Sequence, residues 1–206
     1  WKNDKNNAAT FETLSGEFQD AIQVETALEA ADFRKFIEVD HFPIIDQFIL
    51  SSLAKELAGQ HLKRADVENW VRSRRKQHWY YNYQHAYEAL FFASEFLHEM
   101  SHISLGMDGF DDAISRYTKT WFKVDQLYRK FIHHLRKANQ PTLLGDIAEV
   151  VENRYENDYL LRLNDAWQIH VDRTTTWKSG TVVSQKDFYS RFVRQLRDKD
   201  TKAVVV

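Results

Sequence analysis

At 206 residues, with 43% hydrophobic and 14% aromatic content, the chain is long enough to bury one sizeable core, and its composition excludes a disordered tail. A formal net charge of −2 excludes a global pull toward nucleic acid or anionic membrane, so any such contact has to be local. The absence of cysteine excludes a disulfide framework, a thiolate metal site and a cysteine nucleophile, and it suits the reducing cytoplasm.

No apolar run reaches the roughly 20 residues that a spanning helix requires, and the opening "WKNDKNNAAT" lacks the apolar segment of a signal peptide. A cytoplasmic protein with no membrane partner is expected. Only six glycines and two prolines punctuate the chain, and apolar residues recur every three or four positions, so the pattern predicts an all-α, bundle-like helical domain over 1–199. Weaker periodicity marks helices over 10–31, 44–58 and 65–76.

Residues 63–83 hold Lys63, Arg64, Arg72, Arg74, Arg75 and Lys76, followed by Trp79, Tyr80, Tyr81 and Tyr83. Cations beside aromatics can neutralise phosphates and stack on bases, which makes this local basic patch a candidate contact for DNA or for single-stranded nucleic acid. The same composition also describes an amphipathic helix with a solvated basic face whose aromatics enter a core, and no known nucleic-acid motif accompanies it.

The next predicted helix, over 80–105, carries Tyr83, Ala86, Leu90, Ala93, Leu97 and Met100 on one stripe and ends at Gly106. Near its end lies His98-Glu99-Met100-Ser101-His102, which has the H-E-x-x-H spacing of zinc metallopeptidases. On a helix the two histidines share a face and can share a metal, with Glu99 as general base on a zinc-bound water. Such a site needs a third ligand. The extended pattern wants glycine and histidine where this chain has Leu105 and Asp108, and no glutamate occurs between Glu99 and Glu149. Carboxylates such as Asp108 or Asp125 remain within range, and Asp125 would have to be recruited from the following helix. If Leu90, Leu97 and Ser104 line the seam, His98 and His102 face solvent, so solvent-facing or hydrogen-bonded histidines are the favoured reading and a zinc peptidase the alternative. No catalytic, cofactor-binding or metal-ligating residue is therefore assigned.

From Phe110 to Leu135 the seam is the clearest in the chain: Phe110, Ile114, Tyr117, Trp121, Val124, Tyr128, Phe131 and Leu135 alternate four- and three-residue steps. Asp108 is expected to cap this helix and Gln140-Pro141 to stop it, and it should pair antiparallel with the helix over 80–105. His133 and His134 are adjacent and point to different sides. A further helix starts near Leu143 and carries Ile147, Val151, Tyr155, Tyr159, Leu160, Leu163 and Trp167. Its acids Glu149, Glu152, Glu156 and Asp158 read as a charged face beside Arg154 and Arg162. Residues 172–184 read as a loop, 185–198 as a last helix, and "KAVVV" within 200–206 as the start of a strand that belongs to a following domain. With Trp1 in place of an initiator methionine, the sequence reads as an excised internal segment.

The pieces "YTKTWFKVDQLYRKF", "VENRYENDYLLRLNDAW" and "QKDFYSRFV", followed by "KAVVV", together resemble the segment that precedes the phosphatase-like domain in the PglZ family of BREX bacteriophage-resistance systems. The match runs from about Asp46 through Val206, with Arg75, Trp79, Tyr87 and Ala93 at matching spacing upstream. The resemblance implies a strand that opens an α/β core of the alkaline-phosphatase superfamily, with an acidic residue of that core's metal site following almost at once. It therefore implies that a divalent metal belongs to the downstream domain, that this segment carries no cofactor, ligand or nucleophile, and that its partners are other subunits of the defence complex.

Overall fold

The computed structural model of the chain describes residues 6–175 and 178–197, and among them every regular element is helical, as the periodicity predicts. The strand expected over 200–206 lies outside the described residues. The chain divides into two compact units, one holding Trp1–Ile103 and Lys123–Tyr159, the other Ser104–Phe122 and Leu160–Val206.

In the first unit, α1 (Ala8–Ala21) and α2 (Val24–Leu28) replace the single helix expected over 10–31. The break falls at Gln23, which sits in the left-handed region at φ 51°. No glycine marks this turn, so it carries no local signal in the residue pattern. A 3-10 turn, Phe33–Phe36, leads to α3 (Ile44–Ala58), which buries Ile45, Ile49, Leu50, Leu53, Ala54 and Leu57 along the stripe its spacing requires. This helix is the centre of the unit and packs against both α5 (Tyr80–His102) and α8 (Pro141–Asn153), while α4 (Arg64–Arg74) lies on α5. Each fully buried Leu or Ile removed from water contributes about 1.5–3 kcal/mol. The helices over 80–105 and 110–135 were expected to pair; α3 takes the close positions on α5, and α5 meets α7 (Phe122–Ala138) through long side chains, with Phe96 beside Tyr128 and Phe92 stacked on His134.

Helix α5 stops at His102, short of the predicted Gly106, because Ile103 turns to extended backbone at ψ 137°. Asn139, left-handed at φ 50°, ends α7, and Pro141 opens α8 at its first turn, where its missing N–H costs nothing, so the proline starts a helix as well as following one.

In the second unit, α6 (Phe110–Arg116) passes into a π-helical turn, Tyr117–Trp121. The Thr118 hydroxyl donates to the Ile114 and Ser115 carbonyls and the Thr120 hydroxyl to that of Arg116, and such back-bonding competes with the regular ladder. The uninterrupted seam over 110–135 is thus broken, and Tyr117 is exposed. Asp108 does not cap α6 with its side chain; its own N–H donates to the Asp112 carboxylate, and Gly109 takes the cap position. A second π-helical segment, Arg154–Leu161, interrupts the helix expected through Trp167 and precedes α9 (Arg162–Arg173). Within the unit, Phe110 packs on Trp167, the Trp121 indole donates to the Ser104 carbonyl, and His170 bonds the Met107 carbonyl. The region 185–198 is no regular helix over its described part: a 3-10 turn (Gln185–Asp187) and a π turn (Tyr189–Val193) precede the short α10 (Arg194–Arg197).

Candidate functional site

His98 and His102 lie on the exposed side of α5, ring centroids 4.4 Å apart, as the register predicts. His102 is committed locally, since its Nδ1 bonds the His98 carbonyl at 2.8 Å and contacts the Ser101 hydroxyl at 2.9 Å. Asp125, the acid available to complete a zinc set from α7, is buried and accepts from the Tyr155 hydroxyl at 2.7 Å and from Tyr159 at 3.3 Å. Among the described residues no group of three or more His, Cys, Asp or Glu side chains is placed to hold a metal ion. His98 instead borders a cleft of about 520 Å³ with Lys63, Arg64, Leu97 and Ser101.

The basic-aromatic stretch 63–83 is folded mostly inward or into ion pairs. Arg64 pairs with Glu95, Arg72 with Glu68 and Arg75 with Glu88. Arg74 is not a surface cation at all: it is 0% exposed, its guanidinium holds Asp46 at 3.1 and 2.6 Å, and it donates to the Ile37 and Val39 carbonyls. The Tyr87 hydroxyl completes the cluster by donating to Asp46 at 2.5 Å. Burial raises the Asp46 carboxyl above the ordinary carboxylate range, against the lowering pull of the Arg74 charge. Trp79, Tyr80 and Tyr83 are core residues, and only Tyr81 of the four aromatics is exposed. Burial, and after it the hydrogen bond to Glu88, push the Tyr80 phenol up to about 12.

The adjacent histidines do separate, as expected. His134 turns to α5, where its Nδ1 lies 3.0 Å from that of His85, while the Phe92 ring stacks on it. The acids after Glu149 form the charged face, with Arg154 and Asp158 paired at 3.5 Å.

The second unit holds two features that helical periodicity does not announce. Ala113, Tyr117, Trp121, Leu160, Leu163 and Trp167 line an apolar groove of about 390 Å³. A more polar cleft of about 610 Å³ is bordered by Lys178, Ser184, Lys186, Asp187 and Arg191. The signal for the second lies in "QKDFYSRFVRQLR", where cations alternate with aromatics as they do over 63–83.

No helix among the described residues is long and apolar enough to cross a membrane. No family model and no solved structure matches the chain. The chain is similar to the alkaline phosphatase-like protein PglZ of Bacillus cereus (strain H3081.97), with 23% identity over 201 residues. That alignment covers 95% of this chain and 23% of that relative, so the chain spans under a quarter of the length of the protein it matches. The similarity supports the relation to PglZ read from the residues.

Proposed function

We propose that this PglZ-related chain is the helical scaffold module of a PglZ-like anti-phage defence protein, acting in the cytoplasm by binding other subunits of a BREX complex and by positioning a downstream metal-dependent phosphatase-like domain. The observation that carries this reading is the alignment: nearly the whole chain matches, and it matches only a 23% share of an alkaline phosphatase-like relative. In this reading the divalent metal and the phosphoester chemistry belong to the larger protein, and the segment contributes surfaces.

The interior of the first unit supports such a role. Its charged side chains with the deepest burial, Arg74 and Asp46, tie α4 to α3 and to the 37–39 backbone, and Asp125 ties α7 to the tyrosines Tyr155 and Tyr159. Buried, mutually satisfied groups of this kind hold helices in one arrangement. The test is turnover of p-nitrophenyl phosphate and bis-p-nitrophenyl phosphate by the purified chain with zinc, manganese or magnesium. Background hydrolysis is expected with each metal. Metal-dependent turnover that vanishes in His98→Ala would overturn the reading and return the His98–His102 pair to the status of a zinc site.

A further inference from the structure

We infer that the second unit carries a binding surface for single-stranded nucleic acid, built by Lys178, Lys186 and Arg191 around their cleft with Phe188 and Phe192 beside it.

Recognition of a single strand needs two things together: cations free to replace the counterions of a phosphodiester backbone, and aromatic faces open to a base. The stretch 63–83 meets neither condition in full, since its arginines are matched by Glu95, Glu68, Asp46 and Glu88, and Trp79, Tyr80 and Tyr83 are 5%, 5% and 9% exposed. The segment 178–194 meets both. Among the described residues Lys178, Lys186 and Arg191 make no ion pair or hydrogen bond, and all three are exposed on one cleft. The acid on that lining is Asp187, so positive charge prevails there. Asp111, which lies beneath the adjoining turn, is consumed by the Ser179 and Thr181 hydroxyls and the Gly180 N–H. It holds the turn that presents Lys178.

The aromatics satisfy the other requirement. Phe188, Tyr189 and Phe192 are 41%, 51% and 47% exposed, and the rings of Phe188 and Phe192 sit 5.4 Å apart on one side of the π turn. Exposed phenylalanine faces give bases a stacking platform, and together with the free cations they favour a single-stranded nucleic acid over a purely acidic segment. Ser184, also on the cleft, adds a hydroxyl able to donate to a phosphate oxygen.

The test is fluorescence anisotropy of the purified chain with a labelled oligothymidylate of about 20 nucleotides at several salt concentrations. Three phosphates neutralised on a single strand predict a log–log salt slope of about −2. Lys178→Gln/Lys186→Gln/Arg191→Gln should weaken binding about tenfold or more, and each single change by a few-fold. Phe188→Ala/Phe192→Ala should weaken single-strand binding about tenfold while leaving duplex binding nearly unchanged. Arg72→Gln, at an exposed cation outside the cleft, should leave binding unaltered. Binding that is absent, indifferent to salt, or equally weakened by Arg72→Gln overturns the inference. So does displacement by polyglutamate as effective as by unlabelled oligonucleotide, an outcome that assigns the cleft to an acidic protein. Because the substituted side chains are exposed, far-UV melting curves of the variants should overlay that of the parent chain, and the single Lys186→Gln variant carries the test if the triple one does not fold.

Discussion

Arg74 shows how a single residue changes the meaning of a motif. Read as part of R-S-R-R-K it is one more cation on a basic face; read by helical spacing, Val67, Val71 and Arg74 share a stripe that is wholly buried. Asp46 lies likewise between Ile45 and Ile49 on the buried side of α3. Two opposite charges placed on apolar stripes were the legible sign of an internal pair; that they meet each other depends on how α3 and α4 pack, which no local pattern encodes. Arg74→Ala strands a buried carboxylate, so it should destabilise the chain by about 3–5 kcal/mol in chemical denaturation, far more than Arg72→Ala, which removes an exposed pair worth under about 1 kcal/mol. Tyr155→Phe should cost about 1 kcal/mol, because Asp125 keeps Tyr159 as a donor. Equal effects for Arg74 and Arg72 would place Arg74 on the surface.

Among elements, the helices with a continuous apolar stripe were legible and their interruptions were not. The expected span 44–58 coincides with α3, and 65–76 lies close to α4. Gln23 and Gln60 adopt φ 51° and 58° without a glycine to announce it, and the π turn Tyr117–Trp121 carries hydroxyl bonds from Thr118 and Thr120 to main-chain carbonyls that a periodicity count does not register. A non-glycine residue in the left-handed region costs about 1–2 kcal/mol, of which glycine's larger unfolded-state entropy returns a part. Gln60→Gly should therefore stabilise the chain by up to about 1 kcal/mol in thermal denaturation, whereas Gln60→Ala should not.

The contact between α5 and α7 has a pH signature. Burial holds His134 below its ordinary value of 6.5, with the Glu88 charge pulling the other way. The folded state therefore binds this proton more weakly than the unfolded one. The stability it protects is fully present above about 6.5 and is lost as pH falls through the depressed value. Protonation of His134 makes its Nδ1, 3.0 Å from that of His85, a donor that can no longer accept a hydrogen bond. Urea midpoints should fall between about pH 7.5 and about pH 5.5, and His134→Phe, which keeps the stacking on Phe92, should flatten that fall. An unchanged slope in the variant would assign the pH dependence to other groups.

For the whole molecule, the helical class was legible because helix periodicity is local, and the relation to PglZ was legible because it rests on residue patterns spread along the chain. The division into two compact units was not, since both are helical and no glycine- or proline-rich linker separates them. The location of the unpaired cations escaped for a related reason: which arginines meet acids is decided by packing between elements distant in sequence, as with Arg64 and Glu95 or Arg75 and Glu88. In the proposed function this chain works by holding partners. It is tested by light scattering coupled to size-exclusion chromatography of the purified chain mixed in turn with each purified subunit of the proposed defence complex. A stable complex of defined mass with at least one subunit is expected. Elution of every subunit apart from the chain would contradict it.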